Sequence, residues 1–90
     1  MDLIQYYLIF VDGKGKIKKV AQGLGKGMLG LMGLAKTKGK GFSMLVNGES
    51  GEVEKVFQQV EGYKFANPLQ NHPSLNKKVD LEKIKLYMGT

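Results

Sequence analysis

Two short apolar runs, each closed by a turn dipeptide, constrain this chain more than any other feature. Tyr7-Leu8-Ile9-Phe10-Val11-Asp12-Gly13 aligns with Phe42-Ser43-Met44-Leu45-Val46-Asn47-Gly48. After a one-residue offset, Ile17-Lys18-Lys19-Val20-Ala21-Gln22 aligns with Val53-Glu54-Lys55-Val56-Phe57-Gln58. The pattern is either a degenerate internal repeat or the common grammar of strand and turn used twice. Each unit opens as a buried β-strand, and the segment after the turn decides the topology.

Ile17, Val20, Ala21, Leu24, Met28, Leu31 and Ala35 recur at helical spacing, with Lys18, Lys19 and Lys26 on the other side. Val53, Val56, Phe57 and Val60 repeat the start of that stripe. Ser50 fits an N-cap, Glu52 and Glu54 suit the first turn, and Gly62 suits a stop, so residues 50–61 read as helix. The rival reading takes Asp12-Gly13 and Asn47-Gly48 as hairpin turns, for which they are the strongest short-range signal. Against it, Lys16-Ile17-Lys18-Lys19-Val20 does not alternate with period two. Tyr63-Lys64-Phe65-Ala66 reads as a short strand, residues 69–78 as loop, and Ile84, Leu86 and Met88 as an alternating closing strand. The expected architecture is α+β: a two-layer sandwich in the order β-α-β-α-β-β. It has a mixed sheet of about four strands, the first two parallel, and two helices on one face. A ferredoxin-like arrangement is the nearest familiar one, although the strand count after the first helix departs from it.

Glycine complicates the first helix. Gly23, Gly25, Gly27, Gly30 and Gly33 fall inside it, each costing about 1 kcal/mol relative to alanine in a helix interior. Either close packing compensates, or the helix stops near Gln22 and residues 23–41 form a mobile basic loop.

Ninety residues make one domain, and an apolar share of 42% is enough for a packed core. There is no cysteine, hence no disulfide framework, thiolate nucleophile or Cys-type metal site. The apolar start carries Asp2 and lacks a basic region and a small-residue cleavage site, so it reads as a strand rather than an export signal. No apolar run approaches the roughly 20 residues of a membrane span. A soluble, cytoplasmic protein is expected.

All fourteen basic residues are lysines, for a formal net charge of +6. Lys14, Lys16, Lys18, Lys19, Lys26, Lys36, Lys38 and Lys40 lie between Gly13 and Gly48, where no acidic residue occurs, while the rest of the chain is slightly acidic. One-sided charge points to a polyanion or an acidic surface. Lysine binds phosphate as a point charge, without the planar fork of arginine, and so favours contact independent of base sequence. A compositional bias toward lysine is the alternative origin.

Gly25-Lys26-Gly27-Met28-Leu29-Gly30 matches G-x-G-x-x-G, but it lies too far from the first strand and lacks the acidic residue downstream, so a dinucleotide site is rejected. Gly13-Lys14-Gly15-Lys16 could present backbone N–H groups to an anion at a helix start, with Gly13 and Gly15 shaping the turn. The apolar, glycine and lysine mixture from Leu24 to Lys40 is that of cationic membrane-active peptides, against the simpler reading of Met28, Leu31 and Ala35 as core. His72, the sole histidine, has no companion for a metal. Tyr6, Tyr7, Tyr63 and Phe65 are either core or a stacking surface.

The functional expectation is a non-enzymatic module whose segment 13–40 contacts a polyanion, nucleic acid first. Lys14, Lys16, Lys18, Lys19, Lys36, Lys38 and Lys40 serve as the phosphate partners, with no cofactor or metal. The alternatives are a regulatory or inhibitory protein on an acidic protein surface, or a binder of a small anion such as a nucleotide. A homodimer is expected, because a glycine-weakened helix needs a close neighbour. Gly27, Gly30 and Gly33 beside Leu34 offer that neighbour a surface, and the oppositely charged halves suit a two-fold contact.

Overall fold

Both turn dipeptides close β-hairpins, and that one fact rearranges the expected topology. A computed structural model describes residues 3–89; Asp2, the acidic residue that argues against an export signal, lies outside them. In chain order the elements are β1 (Gln5–Val11), β2 (Ile17–Leu24), α1 (Gly27–Lys36), β3 (Phe42–Asn47), β4 (Val53–Gln59), β5 (Ala66–Pro68) and α2 (Leu81–Gly89). They form one five-stranded sheet in the order β2-β1-β3-β4-β5. Every neighbouring pair is antiparallel.

The mixed four-stranded, two-layer arrangement with both helices on one face is therefore overturned, and the ferredoxin-like order with it. β1 and β3, expected to be parallel through a helical crossover, are antiparallel neighbours. Segments 17–22 and 53–58 are strands rather than helices, and 81–89 is a helix rather than a closing strand.

The cause is a bulge at the corresponding place in each hairpin. Val11 faces Ile17 and Phe10 faces Lys19, so Lys18 is an extra residue in β2. Val46 faces Val53 and Leu45 faces Lys55, so Glu54 is an extra residue in β4. An inserted residue breaks the two-residue alternation and leaves apolar side chains three apart, as in a helix. The turns match as well. Asp12 Oδ1 accepts the N–H groups of Lys14 (2.8 Å) and Lys16 (3.0 Å), and Asn47 Oδ1 accepts those of Glu49 (2.8 Å) and Ser50 (3.1 Å).

The two faces of the sheet are covered separately, giving three layers. On one, α1 packs over Tyr6, Leu8, Leu45, Phe57 and Ala66 through Leu29, with Met32 and Leu34 at the margin. On the other, Ile84 of α2 packs with Tyr7, Ile9, Val11, Val46, Val53 and Val56, joined by Leu69, Leu75 and Val79 of the preceding segment. Leu8, Ile9, Leu45, Val46, Val53 and Val56 are fully buried, each stabilising the fold by about 1.5–3 kcal/mol. Asp80 caps α2 by accepting the N–H of Glu82 (3.0 Å).

α1 is short and turned about its axis from the expected stripe. Residues 23–41 are not a structureless loop: Gly23 and Leu24 end β2, and the helix comes next. Leu29 and Gly33 face the sheet. Leu24, Met28, Leu31 and Ala35, expected inside, are exposed.

Candidate polyanion-binding surface

The strand register decides which loops share an end of the sheet. Val11 pairs with Ile17 and with Phe42, and Ser43 pairs with Phe57. Loops 12–16, 37–41 and 60–65 consequently leave from the same end. They also touch. A Cβ on Gly13 would lie 3.1 Å from the Cβ of Lys40, and the Gly39 N–H donates to Gln59 Oε1 (2.9 Å).

That end collects the lysines expected to meet a polyanion. Lys14 and Lys16 stand in the first loop, Lys18 and Lys19 at the start of β2, Lys36 at the last turn of α1, and Lys38 and Lys40 in the second loop. All seven are exposed. Lys18, Lys19 and Lys36 line, with Phe10, a cleft of about 220 Å³. The bulge is what allows this, because it brings two consecutive residues of β2 to the same cleft. Lys36 also lies at the negative end of the α1 dipole, where a cation is favoured. Lys26, at the opposite end of α1, is separate from this group.

Few acids offset the charge there. Asp12 accepts N–H groups from Lys16 and Lys14, which hold its carboxyl below the usual carboxylate range. Gly15, with φ at +85°, donates its own N–H to the Asp12 carbonyl (3.0 Å). The turn's donors at residues 14, 15 and 16 are thus already engaged, and the segment opens a strand rather than a helix. The Gly15 amide is therefore engaged within the turn, and the lysine side chains are what the turn exposes. Among the described residues, Glu61 is the other acid at this end.

The remaining described acids gather at the far end. Glu49, Glu52 and Glu54 come after β3, and Val79 binds back to Gly51 (2.9 Å), bringing Asp80 and Glu82 beside them. Glu54 Oε1 lies 2.7 Å from Lys26 Nζ, while its Oε2 accepts from Tyr6 Oη (3.0 Å) and Asn47 Nδ2 (3.1 Å). Burial pushes the Glu54 carboxyl up, but these donors outweigh it and hold it below its ordinary value. The same contact to Glu54 raises Lys26. Burial, then the Glu54 hydrogen bond, raises Tyr6.

Aromatic residues divide between the two roles considered for them. Tyr6 and Tyr7 are core, whereas Tyr63 and Phe65 are exposed in the 60–65 loop at the lysine end. Lys64 Nζ sits 5.5 Å from the centroid of the Phe65 ring. Sequence reasoning missed Lys64 as an eighth lysine of this surface, since only the β3–β4 register brings its loop there. His72 is structural: Nδ1 accepts the Ser74 N–H (3.0 Å) and its ring lies 4.6 Å from that of Phe42.

Among the described residues, no group of three or more His, Cys, Asp and Glu side chains is placed to hold a metal ion. No helix among them is long and apolar enough to cross a membrane. No family model, no curated protein and no solved structure matches this chain.

Proposed function

We propose that this protein is a non-enzymatic module that contacts a polyanion, nucleic acid in the first place, without strong sequence preference. The supporting observation is the gathering of Lys14, Lys16, Lys18, Lys19, Lys36, Lys38 and Lys40 at one end of the sheet. Apart from Asp12 and Glu61, the described acids lie toward the other end. Without arginine, such a surface meets phosphates as a set of point charges rather than reading base edges. It favours an extended polyanion over a small anion, because the Lys14 and Lys16 amides of the turn are held by the Asp12 carboxylate rather than left to cradle a single phosphate. A cytoplasmic location belongs to this reading, since nucleic acid is accessible there.

The same reading includes a homodimer, formed through the outer face of α1 rather than by the two charged halves of the chain. That face carries Met28, Leu31 and Ala35 and no charged side chain, because Lys36 turns to the Phe10 cleft and Lys26 to Glu54.

Binding of a random-sequence oligonucleotide, measured across a salt series, tests the lysine surface. Affinity should fall linearly on logarithmic axes, with a slope of roughly 0.7 per phosphate contacted for a single strand. Changing Lys14, Lys16, Lys18 and Lys19 to glutamine should weaken binding and flatten that slope. An unchanged slope in this variant refutes the assignment of these lysines, and binding confined to an acidic protein refutes the nucleic-acid reading.

A further inference from the structure

We propose that a second cleft, beside the lysines, takes an unpaired nucleobase, so that the preferred partner is a single strand; this rests on the polyanion reading above. The cleft measures about 540 Å³ and lies between Gly39 and Lys40 on one side and the 58–63 segment on the other. Its volume falls in the range of roughly 300–1,000 Å³ usual for small-ligand sites.

One side chain holds the two walls together. Gln59 Oε1 accepts the Gly39 N–H (2.9 Å), while its Nε2 donates to the carbonyls of Tyr63 (3.1 Å) and Lys64 (3.3 Å). The site is therefore pre-shaped, which lowers the ordering cost of binding. Gly39 (φ +73°) and Gly62 (φ +91°) take backbone conformations that favour glycine, and a Cβ on either would meet nothing within 4 Å. Both walls thus stay open to a flat ligand.

Tyr63 supplies the platform. Tyr63 is 61% exposed, and it contributes to neither core cluster. Aromatic rings of this kind stack on bases of any identity, but only on bases freed from a duplex. Phe65, 55% exposed two residues on, lies outside the lining of the cleft, with Lys64 Nζ 5.5 Å from its ring centroid. Glu61 lines the same cleft and repels phosphate, so the base enters while the backbone stays outside. Lys40, a wall of the cleft, also abuts Gly13, and the lysines of loop 12–16 continue the phosphate track outside it.

Three probes of matched length separate this cleft from the charged surface: oligothymidylate, the same strand built of abasic residues, and a random duplex. Anisotropy at low salt should show oligothymidylate binding about five- to a hundredfold more tightly than the abasic strand of equal charge, and more tightly than the duplex. Tyr63→Ala should remove the difference between oligothymidylate and the abasic strand, and Tyr63→Phe should keep it. Equal binding of oligothymidylate and the abasic strand, or a preference that survives Tyr63→Ala, overturns the base site while leaving the lysine surface standing. Failure of all three probes to bind overturns both. Exposure of Tyr63 keeps its variants folded, which far-ultraviolet circular dichroism verifies.

Discussion

Single glycines in α1 have opposite roles that only their surroundings separate. A Cβ on Gly33 would lie 2.5 and 2.7 Å from Cδ2 and Cε2 of Phe57, a buried ring that cannot withdraw. A Cβ on Gly30 would meet nothing within 4 Å. Gly30→Ala should therefore stabilise the protein by about 1 kcal/mol, the difference in helix propensity. That corresponds to a rise in melting temperature of roughly 4–8 °C for a domain of this size. Gly33→Ala gains the same propensity, yet it should lower the melting temperature, because displacing Phe57 costs about 1–3 kcal/mol of overpacking strain. Thermal melts of the two variants decide the matter, and stabilisation by both would show that α1 does not rest on Phe57. The glycine count in the sequence left close packing and a loop both open here, and only the helix phase tells which glycine is packed.

At the scale of elements, the attachment of α1 to the sheet depends on a buried polar pair as well as on Leu29. Thr37, just after the helix, and Ser43 of β3 are both buried, with their hydroxyls 2.6 Å apart. Ser43→Ala strands the Thr37 hydroxyl and should cost about 1–3 kcal/mol, whereas adding Thr37→Val should recover part of the loss. A loss in the double variant equal to the sum of the losses in the Ser43→Ala and Thr37→Val single variants, by denaturant unfolding, would mean that the pair contributes no coupling. Much of the strand inventory was legible: the apolar runs of β1 and β3 and the two Asx-Gly turns emerge from composition and spacing. The strands after the turns were hidden, since Lys18 and Glu54 at the bulges put Ile17 and Val20, and Val53 and Val56, three residues apart. Val56 and Phe57 are buried as a helical stripe would have them, but on opposite faces of a sheet. For α2 the sequence carries both a helical and an alternating signal. Asp80 marks a cap, and Leu81, Ile84 and Met88 form the inward stripe, while Leu86, which completed the apparent alternation, is exposed. Of the candidate site, the lysines were visible in the sequence. Their convergence with Tyr63 was not, because it depends on the pairing of strands far apart in the chain.

For the molecule as a whole, the outer surface of α1 is the part that the fold leaves unaccounted for. Both faces of the sheet are already covered, yet Met28 is 74% and Leu31 63% exposed on a helix whose outward side has no polar side chain. Leu24 and Leu3 extend the apolar surface at one end, where a Cβ on Gly25 would lie 3.7 Å from Leu3. A helix apolar on all sides belongs in an interior, and a two-fold axis across α1 would provide one. Gly27 and Gly30 have open space above them, so two copies of the helix can approach closely. Antiparallel crossing would set Lys26 of one copy near Lys36 of the other, but Lys26 is already neutralised by Glu54 and Lys36 is directed to its cleft. Such a dimer would present two lysine ends, and a long strand engaging both would bind with a gain set by their effective concentration. Sedimentation at micromolar concentration should give a dimer, and Leu31→Glu should give a folded monomer, because two carboxylates would be buried against each other across the axis. The monomer should retain affinity for a short oligonucleotide that spans one lysine end and lose affinity for a long one. A wild-type monomer at these concentrations, or an undiminished dimer in Leu31→Glu, would show that α1 is not the contact.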